Sequence, residues 1–464
     1  MASKSISKSV IWQLAGKFAL QGIAFFTTPI FTRILSPAEY GYIALYASWQ
    51  SILSLVVGLQ VEGSIGNARL EYGEEKLSEY LSCILSVSTI AFLVLLVLSL
   101  VLNPWLTGVM GISSKLVVFV VIHSFCSFVI NLEVRRLDQL KKVEKSTLLS
   151  LTQSILVIVL SLIFVLTTKG NKANAKIYGQ ALPVIFFAFV IFIIIYFRGK
   201  LFWNTKYIKF CLSLCLPLIV HGIGHLIFTQ SDRIMLQKIH NEEILGLYIV
   251  AYNLCTVLTI IYSATNVAWV PFYFDYKKQD KDEEIIFHSR RYLKLFTLLS
   301  IGFILLAYDV YKIMAPAEYS DGAKIIPFFV LSNFFSFIYL FPVNYEFFKK
   351  KTFLIPIVTF AAALINIIVN WFLIPGKGIL GAAIGTLVAH VLLFIFHPIM
   401  ACRIGGKEYE YRNIIMFIIP TIIMTIICAI FYFIPQIPLL IRWLVAAFVG
   451  IIILRDFFKY KSIF

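Results

Sequence analysis

The chain has 464 residues, 60% of them hydrophobic and only 14% charged, and its mean hydropathy is +0.89. Soluble domains run at about 45–50% apolar and about 25% charged, which excludes a water-soluble enzyme and a disordered protein and leaves lipid-exposed segments as the explanation. The net charge of +16, from 40 Lys and Arg against 24 Asp and Glu, points either to nucleic acid or to cytoplasmic membrane loops, and position along the chain decides.

Apolar runs bounded by charges or turn residues fall at 10–31, 42–66, 81–103, 116–132, 147–168, 178–197, 208–231, 245–272, 293–315, 325–345, 353–374, 379–402, 414–434 and 438–456. A spanning helix needs roughly 20 apolar residues, so these predict an all-α polytopic membrane protein of about 14 transmembrane helices. The first run is not expected to be a cleaved signal peptide, because Lys17 interrupts it and no small-residue cleavage site follows. The run at 116–132 is short and leads into a charged segment. There Leu132, Val134, Leu137 and Leu140 stand near helical spacing. Segments 131–146 and 274–294 read as interfacial helix extensions, serving either as anchors on anionic headgroups or as moving gate elements.

With the N-terminus placed inside, 28 of the 40 cations fall in inside segments, 11 fall outside, and Lys17 lies within the first span. This bias predicts that both termini are cytoplasmic and accounts for the basic balance without nucleic acid. The seven cysteines lie in or beside apolar runs with no CxxC pair. They read as core packing, with no disulfide, metal or cofactor implied.

The first half resembles the second at an offset near 205 residues. Gly41 in Glu39-Tyr-Gly-Tyr-Ile-Ala-Leu-Tyr46 corresponds to Gly246 in Glu243-Ile-Leu-Gly-Leu-Tyr-Ile-Val-Ala-Tyr252. Arg33-Ile-Leu35 corresponds to Arg233-Ile-Met235, Lys145-Ser-Thr147 to Lys350-Lys-Thr352, and Tyr178-Gly179 to Ile384-Gly385. Each copy holds six spans, and an even number preserves direction. The expected domains are therefore two parallel six-helix lobes, 1–206 and 207–404, with two additional C-terminal helices over 405–464. Paired repeats of this kind place a substrate cavity between the two bundles.

A charge at the centre of a spanning helix costs roughly 2.5–3.5 kcal/mol on insertion scales, so such residues should face a watery cavity or a partner. Lys17 has Gln13 and Gln21 at i−4 and i+4, a polar stripe on one face. It either lines a cavity and attracts an anionic headgroup or snorkels to the inner interface. Glu62 and Arg69 are two helical turns apart and share a face if the helix continues. That arrangement suits an ion pair or a bound coupling ion. His221 and His225 share a face in the seventh span. They suit cavity hydrogen bonding, proton handling or interhelical packing, and no third metal ligand accompanies them. Asp232-Arg233 follows as an inter-helix ion pair or gate, and Asp309 stands in the ninth span. His123, His390 and His397 carry a weaker signal. No phosphate-binding loop, H-E-x-x-H or G-x-S-x-G motif is present, and the expectation is a non-enzyme without a cofactor.

Arg33-Ile-Leu-Ser-Pro-Ala-Glu-Tyr-Gly41 resembles the R-x-L-[S/T]-P-x-E-[Y/F]-G signature of bacterial polysaccharide (O-antigen, Wzx-type) flippases. These belong to the multidrug/oligosaccharidyl-lipid/polysaccharide exporter superfamily. Asp232-Arg-Ile-Met-Leu236 with Gly246-Leu-Tyr-Ile-Val-Ala-Tyr252 resembles their seventh and eighth spans. Gly378-Ile-Leu-Gly-Ala-Ala-Ile-Gly-Thr386 resembles the glycine-rich start of their twelfth. The family mostly has twelve spans, although the related MurJ-type flippases have fourteen.

The resemblance implies a flippase that moves polyprenyl (undecaprenyl) pyrophosphate-linked oligosaccharide from the cytoplasmic to the outer leaflet of the bacterial inner membrane by alternating access. Such a substrate serves O-antigen, lipopolysaccharide or other surface polysaccharide biosynthesis. Family cavities are commonly lined by cations that suit a lipid pyrophosphate, a role that falls here to Lys17 helped by His221 and His225. Tyr252, Asn253 and Trp269 complete the expected cavity, with Tyr252 and Trp269 stacking on sugar rings. Arg33, Glu62, Arg69, Asp232, Arg233 and Asp309 are the expected gate or ion-coupling residues. The implied partners are membrane lipids, a coupling proton or Na+, and polysaccharide polymerase or chain-length proteins, with no nucleic acid. The alternatives are a multidrug antiporter of the same superfamily, against which Lys17 argues, and a membrane O-antigen polymerase or ligase, which would require a large outer loop.

Overall fold

The computed structural model describes residues 2–351, 353–406, 411–433 and 437–459, and the side chains of 2–11, 13, 14, 17, 24, 354, 411–415 and 457–459 lie outside that description. The helices are α1 (Ala2–Ile34), α2 (Pro37–Gly58), α3 (Ile65–Val101), α4 (Asn103–Met110), α5 (Ser114–Gln139), α6 (Val143–Thr167), α7 (Lys172–Gly199) and α8 (Thr205–Ile239). They continue with α9 (Glu242–Lys278), α10 (Asp282–Met314), α11 (Ile326–Phe348), α12 (Leu354–Lys377), α13 (Ile379–Arg403), α14 (Tyr411–Phe433) and α15 (Leu439–Lys459). Short 3-10 turns cover Val61–Ser64 and Ala317–Ile325. Among the described residues twelve helices are long and apolar enough to cross a membrane. Each of the fourteen expected runs falls on one of the helices, and only the short α4 is extra. The chain is a multi-pass, all-helical membrane protein.

Local sequence sets the breaks. Ser36 caps α2: its Oγ accepts from Glu39 N at 3.3 Å, and Glu39 Oε2 accepts from Ser36 N at 2.9 Å. Pro37 follows at the first helical position, where a missing N–H costs nothing. The second span differs from its expected extent of 42–66. Leu59 and Gln60 both take the left-handed conformation, with φ of 50° and 54°, which ends α2 and starts the 3-10 turn that carries Glu62. Charged segment 131–146 is likewise divided, because α5 stops at Gln139 and Lys141 turns left-handed before α6. Within α3 the backbone kinks at Gly73, whose φ of 76° favours glycine.

The chain divides into two compact units, Met1–Gly246 and Leu247–Phe464. In the first, buried Val57, Val61, Ile65, Tyr80, Phe128 and Cys211 belong to one apolar core. Here α8 packs against α2, α3 and the 3-10 turn. Ile90, Leu93, Val94, Val97, Leu98 and Val101 of α3 stay exposed, as a lipid-facing surface requires. In the second unit α11 is enclosed by α10, α13 and α14, and α15 packs on α10. Arg442 of α15 reaches Asp309 of α10 at 3.0 Å, and Asp456 reaches Lys294 at 2.6 Å.

Candidate functional site

In the first unit two of the expected polar residues, Glu62 and His221, lie on facing elements at the broken second span. Leu59 and Gln60 turn the chain so that Glu62 enters the 3-10 turn, and its Oε2 is buried with no hydrogen-bond partner among the described residues. The turn packs closely on α8: a methyl on Gly63 would lie 2.6 Å from the Leu218 side chain, and one on Gly222 would lie 3.0 Å from Gln60 Nε2. His221, one residue before Gly222, is half-buried with its Nδ1 lacking a partner, whereas His225 is exposed. This places a carboxylate and an imidazole on facing elements and leaves polar valence free on each.

Arg69 does not share a face with Glu62. The helix that would have joined them is broken at Leu59–Gln60, and Arg69 instead pairs with Glu74 at 2.7 Å and donates to the Gln139 carbonyl. Arg33 closes α1 by donating from Nη1 to the Pro29 carbonyl at 2.8 Å. Asp232 is buried, and its Oδ1 accepts from Arg233 N at 2.8 Å. Gln21 is exposed on α1. The side chains of Gln13 and Lys17 lie outside the described residues.

In the second unit Tyr252 packs on Phe329 and Tyr248, with ring centroids 5.5 and 6.4 Å apart. Asn253 lies beside it, half-buried, on α9. Trp269 departs from the expected sugar-stacking role. It is only 3% exposed and sits among Tyr273, Tyr276, His288 and Tyr292, so its ring is already covered by aromatic neighbours. Asp309 is held by Arg442.

Two features escaped sequence reading. Lys176 is buried on α7, with Nζ 3.8 Å from the Phe31 ring centroid and 4.9 Å from that of Tyr40, a cation–π arrangement. Its neighbours Lys169 and Lys172 made it look like one more loop cation. Glu346 of α11 and His397 of α13 form a fully enclosed pair at 2.9 Å. Glu346 stands beside three lysines at a span end, and nothing in a linear sequence links it to a histidine 51 residues away.

The two signature glycines also meet. A methyl on Gly41 would collide with the Glu242 carbonyl oxygen, and one on Gly246 would collide with the Pro37 carbonyl oxygen. Both motifs fall within residues 6–277, the stretch matched by a family model described as polysaccharide biosynthesis protein. The chain belongs to this polysaccharide biosynthesis family. Among known proteins of Haemophilus influenzae, it is 23% identical over 366 residues to "Lsg locus putative protein 1", covering 76% of this chain and 87% of that one. Among solved structures it is similar to the lipid II flippase MurJ in an inward closed conformation. The TM-score is 0.73 at 17% identity, over 98% of this chain and 99% of that one. It is also similar to an inward-facing multidrug resistance MATE family transporter, with a TM-score of 0.64 at 16% identity, over 86% of this chain and 99% of that one. The likeness establishes that this member of the polysaccharide biosynthesis family has the MurJ and MATE fold.

Proposed function

We propose that this protein is a flippase that carries a polyprenyl (undecaprenyl) pyrophosphate-linked oligosaccharide from the cytoplasmic to the outer leaflet of the bacterial inner membrane. The observation that carries the reading is the family match over residues 6–277 on a fold shared with a lipid II flippase over nearly the whole chain. The chemistry supports it. Sugar hydroxyls and phosphates would lose their water partners in the bilayer core, so a carrier must offer a hydrated polar surface to the headgroup while the polyprenyl tail stays in lipid.

In this proposal Lys17, Gln13 and Gln21 present one polar face of α1 to the pyrophosphate. Glu62 and His221 belong to the same aqueous path in the first unit, and the two six-span lobes alternate their access between leaflets. Both termini lie in the cytoplasm, and surface polysaccharide, O-antigen included, is the end product. The decisive experiment deletes the gene in a strain with no redundant flippase. Lipid-linked repeat units should then accumulate in the cytoplasmic leaflet and surface glycan should fall. Unchanged surface glycan would overturn the reading.

A further inference from the structure

A groove runs between α10 and α14 in the second unit, where the two helices pack together. Its volume is about 550 Å³, inside the range of about 300–1,000 Å³ for small-ligand pockets. The walls are apolar: Leu293, Leu298 and Ile301 from α10, and Met416, Ile419 and Ile423 from α14. Pro420 also stands in the α14 wall. It carries no amide hydrogen for the Met416 carbonyl, so the helical ladder is interrupted beside the groove. Arg290 and Lys294 line one end. They are one helical turn apart and lie on one face of α10.

The two ends of the groove differ in chemistry. Arg290 is exposed, and among the described residues its guanidinium makes no ion pair or hydrogen bond. Lys294 shares its charge with Asp456 at 2.6 Å. Two cations against one carboxylate leave this end attractive to an anion. Beyond it the polar valence is spent, because the Thr297 hydroxyl donates to the Leu293 carbonyl of its own helix at 2.7 Å. A sugar headgroup lying along these walls would lose its water partners and find few others.

Length narrows the ligand further. From Arg290 to Ile301 the helix rises about 16 Å. The hydrocarbon core of a bilayer is about 30 Å thick, so the groove is one leaflet deep. Ile419 and Ile423 are exposed, which leaves it open sideways to lipid. Charge and depth together match a phosphate joined to an acyl chain of one leaflet. A polyprenyl chain is several times longer than this groove and carries a methyl branch on every unit, so it matches the depth poorly.

We propose that the α10–α14 groove holds one anionic glycerophospholipid, with its phosphate on Arg290 and Lys294 and one acyl chain laid between Ile301 and Ile423. The site does not depend on the flippase reading. Native mass spectrometry of the full-length protein, titrated with phosphatidylglycerol and phosphatidylcholine of matched chains, tests it. The first phosphatidylglycerol should bind more tightly than the first phosphatidylcholine. Arg290→Gln breaks no ion pair among the described residues and should cut that preference about fivefold, the worth of one cation at a lipid surface. Ile419→Trp fills the groove instead, and should weaken the first binding event for both lipids. Equal affinity for the two lipids in the wild type overturns the proposal, as does a preference that survives Arg290→Gln. If Arg290→Gln fails to fold, Ile419→Trp decides alone, and unchanged binding there places the lipid elsewhere and overturns the site. Undecaprenyl phosphate that binds more tightly than phosphatidylglycerol, and is lost in both variants, would give the groove to a polyprenyl lipid and overturn it as well.

Discussion

Gly41 and Gly246 stand backbone to backbone, with Gly246 N only 2.7 Å from where a Gly41 side chain would begin. These residues occupy equivalent positions in the internal repeat, and each meets the main chain of the other's segment. A carbonyl oxygen cannot swing aside as a side-chain tip can. Gly41→Ala should therefore destabilise by about 1–3 kcal/mol, the range for overpacking, toward the upper end. Thermal unfolding of the purified protein in detergent checks this, and an unchanged melting temperature would show that the contact is loose.

The Arg442–Asp309 contact makes a different kind of claim. Its side chains are 7% and 15% exposed, and Arg442 Nη1 and Asp309 Oδ2 remain buried without partners. Arg442→Met alone should destabilise by about 3–5 kcal/mol, because it strands a buried carboxylate. Adding Asp309→Leu should recover most of that loss. A double-mutant cycle in denaturant measures it, and additive losses would mean that the two groups do not interact.

The start of α2 gives a smaller and cleaner effect. Ser36→Ala removes the hydroxyl that accepts from Glu39 N and should cost about 1 kcal/mol of stability. Glu39→Gln keeps an acceptor for Ser36 N and should cost less. Melting temperatures of the two variants order the effects.

Lys17→Ala bears on the proposed function. If Lys17 attracts the pyrophosphate, export of surface glycan should fall while the amount of protein in the membrane stays the same. Full export at normal protein levels would remove Lys17 from the proposed cavity.

Much of the architecture was readable because bilayer thickness is written directly into run length. Even the short run at 116–132 lies within α5. Where reading failed, the cause was either a hidden break or a distant partner. Leu59 and Gln60 adopt left-handed backbone without a glycine or proline to announce it, so Glu62 and Arg69 looked like one helical face. Asp309 read only as an acid of the ninth span with a gate or ion-coupling role, yet its cation lies 133 residues later. Trp269 looked available for stacking, because aromatic residues at helical spacing suit a packed cluster as well as a cavity wall. The same ambiguity hid Glu346, which reads as the polar end of a span until the fold brings His397 to it.

The grip of α15 on α10 has a practical consequence for protein engineering. Arg442 and Asp456 hold sites well separated along the same partner helix, so the last helix is bolted on rather than trailing. A shortened version trimmed to the twelve-helix plan common among its kin would leave Asp309 as a stranded anion. A minimal design should neutralise that position before any helix is removed.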